Sequence, residues 1–173
     1  MNAMDKVISK KIFKKNKILT PKYFVLKKNE FNKKKFKKLL KKNKFKFPIV
    51  VKPSDEGSSI GVKICNNRSN LERETSALFK KFETLIFEKY IAGQEIQVAV
   101  MNNKAMGAIE LKPVRDFYDY KAKYLKSAKT LHIMPANLSK KNYSKVLKIS
   151  EKAHKALKCK GIARSDFKYL NNK

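Results

Sequence analysis

The stretch Lys52-Pro53-Ser54-Asp55-Glu56-Gly57-Ser58-Ser59-Ile60-Gly61-Val62 (KPSDEGSSIGV) decides how this chain is read. It follows the apolar run FPIVV, residues 47–51, and leads into GVKIC, residues 61–65. Short apolar runs bounded by turn residues read as strands, so the segment is a loop between two strands. Gly57 and Gly61 permit close backbone approach and positive φ, which lets successive N–H groups converge on an anion, and Ser58 and Ser59 add hydroxyl donors. Lys52 supplies a point charge at the strand end. The lysine precedes the glycines, so GxxxxGK[ST] is absent and a P-loop is excluded. On this chemistry alone the segment is either a structural turn or a loop that covers a phosphate.

Outward from the loop, the pattern alternates helix and strand. Residues 4–16 (MDKVISKKIFKKN) place Val7, Ile8, Lys11 and Ile12 at helical spacing, and KYFVL after Pro21 reads as a strand. Residues 30–43 turn Phe31, Phe36, Leu39 and Leu40 to one side of a helix whose remaining faces are lysine, a solvated basic surface. SNLERETSALFKKF is helical, with Ser69 as its expected cap and Leu71, Leu78, Phe79 and Phe82 inward. Residues 84–91 form a strand. A hairpin follows, with Ile96, Val98 and Val100 on one face and Asn102-Asn103 at its turn. From Ser139, a last helix lines up Tyr143, Val146, Leu147, Ser150, Ala153 and Leu157. GIARSDFKYLNNK closes the chain as a strand entering an Asn-Asn turn. Strands, hairpins and interleaved helices indicate an α+β fold with two sub-lobes, residues 1–91 and 92–173, meeting near Ile91–Gly93.

Composition sets limits on the function. At 173 residues the chain buries a real core, and no apolar segment reaches the roughly 20 residues of a membrane span. No signal-peptide stretch opens it, so a cytoplasmic setting is expected, with no membrane partner. The net charge of +29 points to a polyanion, yet 39 lysines stand against four arginines, the better readers of phosphate and base. Lysine is spread through nearly every segment, so no specific nucleic-acid partner is expected. Cys65 and Cys159 lack metal spacing and read as small buried hydrophobes. His132 and His154 read as structural.

Two further constellations carry chemistry. In FEKYIAGQEI, Glu88 ends one strand and Glu95 begins the next around Gly93. They are either hydrogen-bond acceptors for a nucleotide's amino group and sugar hydroxyls or ordinary solvated strand-end acids. In ARSDF, Arg164 and Asp166 alternate by two and share a strand face, either as a surface salt bridge or as an oxyanion donor beside a Mg²⁺ ligand.

Together, VVKPSDEGSSIGV, FEKYIAGQEI, FYDYKAKY and CKGIARSDF, with MDKVISK near the start, resemble the D-alanine–D-alanine ligases of the ATP-grasp superfamily. The resemblance implies an ATP-grasp fold holding a nucleotide between antiparallel sheets, with ATP and Mg²⁺ (or Mn²⁺) as cofactors and D-alanine as substrate. It assigns Lys6 and Lys52 to the ATP phosphates and residues 54–61, including Gly57, Ser58 and Ser59, to a flap over them. Glu88 becomes the adenine-side acceptor with Lys89, Tyr90 and Ile91 nearby, and Glu95 the ribose partner. Lys123 reaches the phosphates, Tyr124 joins Ser58 in closing over substrate, Arg164 stabilises the oxyanion, and Asp166 holds the metal. The implied reaction joins two D-alanines through an acyl phosphate for peptidoglycan precursors.

The family also has an N-terminal domain and, after the terminal hairpin, a Glu-x-Asn segment carrying further metal ligands. Neither is present in these 173 residues. The expectation is a fragment that binds ATP weakly, does not complete ligation by itself, and works with a complementing chain or as a homodimer. Two other readings remain: a basic polyanion binder on an ATP-grasp remnant, and an ATP-grasp ligase with another acceptor, against which YDYKAKY speaks.

Overall fold

Residues 47–65 fold as two antiparallel strands around the quoted loop. A computed structural model describes residues 3–113 and 130–170. The elements are α1 (Lys6–Lys15), β1 (Tyr23–Lys27), a 3₁₀ turn (Lys28–Glu30), α2 (Lys33–Lys42), β2 (Ile49–Pro53), β3 (Lys63–Cys65), α3 (Arg68–Leu78), β4 (Thr84–Lys89), β5 (Gln94–Met101), β6 (Lys104–Lys112), β7 (Leu131–Ile133), α4 (Lys140–Ala156) and β8 (Ile162–Tyr169). They fall into two compact units, one holding Ala3–Val7 and Thr20–Tyr90, the other Ile8–Leu19 and the chain from Ile91 onward.

The first unit is built on a four-stranded sheet of order β1-β4-β2-β3, each neighbouring pair antiparallel. One face is apolar: Phe24, Leu26, Ile49, Val51, Leu85 and Phe87 pack with Phe36 of α2 and Leu71 and Leu78 of α3. Phe24 stacks on Phe87 at 4.7 Å between ring centroids, and Phe36 meets Phe87 at 5.1 Å. A stacked, tilted aromatic cluster adds about 1 kcal/mol per pair beyond its buried area. Because strand side chains alternate, this packing sends Tyr23, Lys52, Ile86 and Glu88 to the opposite face. The helix expected over 30–43 runs only from Lys33 to Lys42, after a separate 3₁₀ turn at Lys28–Glu30. Lys34, Lys37, Lys38, Lys41 and Lys42 are exposed, as the inward placing of Phe36, Leu39 and Leu40 requires.

The second unit has sheet order β7-β6-β5-β8, again antiparallel. Ile96, Val98 and Val100 are fully buried and pack with Ala108 and with Val146 of α4, while Tyr143, Leu147, Phe167 and Tyr169 close the edges. Asn102 and Asn103 both take positive φ, 49° and 68°, the paired left-handed geometry of a two-residue hairpin turn. His154 is buried and its Nδ1 lies 2.8 Å from Asn103 Oδ1, tying α4 to that turn. His154 thus plays the structural part expected of it.

Several local expectations are corrected. Asn67, not Ser69, caps α3, its side chain accepting from the Asn70 amide at 2.9 Å. Asn is at least as good a cap as Ser, and the helix starts at Arg68, two residues earlier than a Ser69 cap implies. The short helix expected over 4–16 is α1, in which Ser9 and Lys10 are buried while Ile8 is 42% exposed, so helical spacing of the apolar residues does not mark its buried side. A ten-residue helix with few apolar positions does not define its buried side by periodicity, and a lysine stem packs readily. Cys65 is buried and burial pushes its thiol up to about 11, but Cys159 is only half-buried. Among the described residues no helix is long and apolar enough to cross a membrane.

Candidate functional site

The polar face of the first sheet gathers a cluster of charge. Lys52 on β2 and Glu88 on the central strand β4 pair at 2.7 Å, with side chains only 20% and 7% exposed. Glu88 sits opposite both Val50 and Tyr23 in the strand register. Burial and then the Glu88 carboxylate raise the Tyr23 hydroxyl above its ordinary range. Of the two readings of Glu88, the solvated strand-end acid is excluded by this burial.

Lys6 enters the cluster from the start of α1. Asp5 accepts the Val7 amide at 2.6 Å, capping the helix and fixing Lys6 at its first turn. The Lys6 amide donates to Ser54 O at 2.9 Å, and its ammonium donates to Ser54 O at 3.3 Å and to Glu56 O. Burial, then repulsion from Lys52, lowers the Lys6 ammonium below its usual range. Two cations held close in a half-buried place are mutually unfavourable unless an anion joins them.

The loop above them is a tight turn. Ile60 N–H donates to Gly57 O at 2.9 Å and Val62 N–H to Ser59 O at 3.2 Å. The expected positive φ at Gly57 is not found. Ser58 and Ser59 take it instead, at 50° and 63°, together with Gly61 at 69°. Residues 58 and 59 form the paired left-handed turn, so the serines, not Gly57, hold the disfavoured backbone. Gly61 is required on two counts: its φ, and the 2.8 Å that would separate a Cβ from the Pro53 ring. Nothing lies within 4 Å of a Cβ at Gly57, and Ser58 is exposed at the tip. Lys89 is exposed and Tyr90 half-buried just past β4, where the Lys89 amide bonds to Lys22 O and the Tyr90 amide to Pro48 O. Ile91, the next residue, is half-buried and belongs to the second unit.

In the second unit the face of the sheet opposite α4 carries its own charges. Arg164 and Asp166 on β8 form a two-pronged pair, Nε–Oδ1 at 2.7 Å and Nη2–Oδ2 at 3.0 Å, roughly half exposed. Glu95 on β5 pairs with Lys168 at 2.7 Å across the strands. Gln97 and Ala99 continue the β5 side, opposite Asp166 and Arg164. A cavity of about 160 Å³ opens on this face, lined by Gln97, Ala99, Gly107, Ile109, Met134 and Arg164. Lys123 and Tyr124 lie outside the described residues, as does all of RDFYDYKAKYL.

Tyr23, Lys168 and Gln97 were not anticipated. Each was legible in principle: Lys168 continues the period-two series Arg164, Asp166, and Gln97 continues from Glu95. Tyr23 needed the pairing of β1 with β4, which no local pattern reveals.

Comparison with known proteins is consistent across sequence and structure. The family model described as D-ala D-ala ligase C-terminus matches residues 12–173. The chain belongs to the D-alanine–D-alanine ligase C-terminal family. A D-alanine–D-alanine ligase of Pelagibacter ubique is 56% identical over 173 residues, covering 99% of this chain and 55% of that protein. A crystal structure of D-alanine–D-alanine ligase from Bacillus anthracis matches with a TM-score of 0.82 and 36% identity, over 99% of this chain and 54% of its own. A second, of the same enzyme complexed with ATP, matches at 0.79 and 30%, over 99% and 52%. The fold is therefore the α+β ATP-grasp fold of these ligases, with its two antiparallel four-stranded sheets. The chain spans about half the length of the curated ligases that it matches.

Proposed function

We propose that this chain supplies the nucleotide-handling part of an ATP-dependent D-alanine–D-alanine ligase serving peptidoglycan precursor synthesis. The observation that carries the reading is the first-unit cluster: two half-buried ammonium groups, Lys6 and Lys52, packed beside Glu88 under a glycine-serine turn. Such an arrangement is favourable once phosphate oxygens neutralise the lysines, and the ATP complex of the Bacillus anthracis relative supports ATP as the source of those oxygens.

Residues 1–91, with the flap at 54–61, act as one sub-lobe and residues 92–173 as the other. Lys6 and Lys52 take the ATP phosphates, and Gly57, Ser58 and Ser59 cover them, with Ser58 also beside the reacting D-alanine. Glu88 turns its carboxylate to the adenine amino group, helped by the backbone of Lys89, Tyr90 and Ile91. Glu95 accepts from the ribose. Lys123 and Tyr124 complete phosphate and substrate contacts, and Arg164 stabilises charge on the tetrahedral carbon. A D-alanine carboxylate oxygen bonds to the γ-phosphorus as ADP leaves. The amine of a second D-alanine then bonds to the acyl carbon, phosphate departs, and the amine loses its proton. Positioned cations lower both barriers because negative charge builds at the phosphoryl oxygens and then at carbon.

Among the described residues no cluster of three His, Cys, Asp or Glu side chains is arranged for a metal ion. The donor set suits Mg²⁺ or Mn²⁺ carried in on the nucleotide phosphates, which needs one or two carboxylates, and Asp166 offers one. Such an ion would screen phosphoryl charge, and Asp166 would orient it. Full ligation is assigned to the whole ligase, including a complementing chain or a homodimer where these residues stand alone, and a cytoplasmic setting follows from its use of ATP. The test is limited proteolysis with and without ATP. ATP protects the wild-type chain, and Lys52→Ala removes the protection; equal protection of both chains would sink the phosphate assignment.

A further inference from the structure

Gln97 is buried, 6% exposed, and its amide nitrogen Nε2 has no hydrogen-bond partner among the described residues. A buried donor without an acceptor costs about 1–3 kcal/mol, so its retention calls for a state in which it is satisfied. Its cross-strand partner is Asp166, and such partners project to the same face within reach of one another. In the ligand-free chain both Asp166 oxygens are taken up by the Arg164 fork. Arg164 also lines the 160 Å³ cavity beside Gln97, so an anionic ligand arriving there competes with Asp166 for the guanidinium.

We propose that Gln97 is a positioning residue for Asp166: its amide holds the carboxylate once Arg164 turns from Asp166 to an anionic ligand. A carboxylate offers about four acceptor sites, so one oxygen held by Gln97 leaves the other free to face a cation. Release of Arg164 and presentation of Asp166 thereby become one event, and the buried amide gains its acceptor only in the liganded state. The inference rests on the proposed nucleotide-binding reading.

The experiment compares wild type with Gln97→Met, a near-isosteric change that removes the amide. Binding of adenosine 5′-(β,γ-imido)triphosphate is titrated with and without Mn²⁺, and urea unfolding of the ligand-free chain is followed in parallel. Affinity without Mn²⁺ is expected to be unchanged, while the Mn²⁺-dependent gain falls about tenfold, the value of one hydrogen bond to a charged group. The ligand-free urea midpoint is expected to stay or rise. Equal loss with and without Mn²⁺ would mean that Gln97 contacts the nucleotide itself, and no loss would mean that Asp166 is held without it. A Gln97→Met chain that unfolds or loses stability would mark the amide as structural. Each of these three outcomes overturns the proposal. Wild type that binds no nucleotide under either condition overturns the proposed function first, and is recognised in that arm alone.

Discussion

Replacing Lys52 by methionine tests how the first-unit cluster is held together before any ligand arrives. At 2.7 Å, the gross attraction in the Lys52–Glu88 pair is about 6 kcal/mol at an effective dielectric near 20. Much of that is offset by the cost of taking both groups out of water, so the intact pair contributes far less than its Coulomb energy. The asymmetry lies in what the mutation leaves behind. Glu88 remains with its side chain 7% exposed and loses the ammonium at 2.7 Å, keeping the attraction of Lys6. Stranding a buried charge costs 3–5 kcal/mol, and because Lys52 is itself 20% exposed the expected loss is about 3 kcal/mol. With a urea m-value of about 2 kcal/mol per molar, the unfolding midpoint falls by about 1.5 M. Glu88→Gln in the Lys52→Met background removes the stranded charge and should recover about 2 kcal/mol. Nucleotide protection should stay lost in the double variant, since the phosphate cation is still missing. A Lys52→Met chain as stable as wild type would refute the buried-charge reasoning, as would a double variant no more stable than the single one.

Two other perturbations follow from the same region. Gly61→Ala forces a Cβ to 2.8 Å from the Pro53 ring at a φ of 69° and should cost about 2–3 kcal/mol, whereas Gly57→Ala, with nothing within 4 Å, should shift the urea midpoint by less than 0.5 kcal/mol equivalent, roughly the surface norm. Equal effects at the two glycines would contradict the turn geometry. Lys6 ionises less readily in the fold than at its ordinary 10.5, so between its lowered value and 10.5 the unfolded chain holds the extra proton and stability rises with pH, by at most about 1.4 kcal/mol per pH unit. Cys65 opposes this above its ordinary 9.0 and Tyr23 above its ordinary 10.0, since the fold retains both protons there and stability falls. The Cys65 and Tyr23 contributions are common to both chains, so stability should change more positively with pH in wild type than in Lys6→Met, read from urea midpoints; the same slope in both chains would remove Lys6 from the cluster.

In the second unit the charged groups proposed to face a ligand pair with one another. Arg164–Asp166 and Lys168–Glu95 neutralise one another across adjacent positions of one sheet face. Arg164–Asp166, about half exposed, adds about 0–1 kcal/mol, so under the proposed function it is readily exchanged for contacts to a ligand, whereas Lys168–Glu95 is more enclosed. Lys52–Glu88 is more deeply buried, and the proposed function has it exchange when phosphate replaces the carboxylate as partner of the lysine.

The sequence by itself determined most of the strands, the helices and the chemistry offered at their ends, though not the short edge strand β7. Period-two alternation placed Ile96, Val98 and Val100 inward, and the spacing of Phe36, Leu39 and Leu40 set the buried side of α2, because burial of apolar area acts locally on a regular backbone. The motifs around Lys52, Glu88, Glu95 and Asp166 carried the family resemblance for the same reason: reactive groups sit at strand ends and turns that local residues specify. Tertiary structure alone decided which charges meet. The ion pair of Lys52 with Glu88 and the approach of Lys6 to Ser54 and Glu56 join residues 36 to 50 positions apart. The Glu95–Lys168 pair and the placing of Gln97 against Asp166 depend on the register of β5 with β8. Strand pairing is chosen by the fit of whole faces, not by any one segment, so these contacts exist only once both sheets have formed.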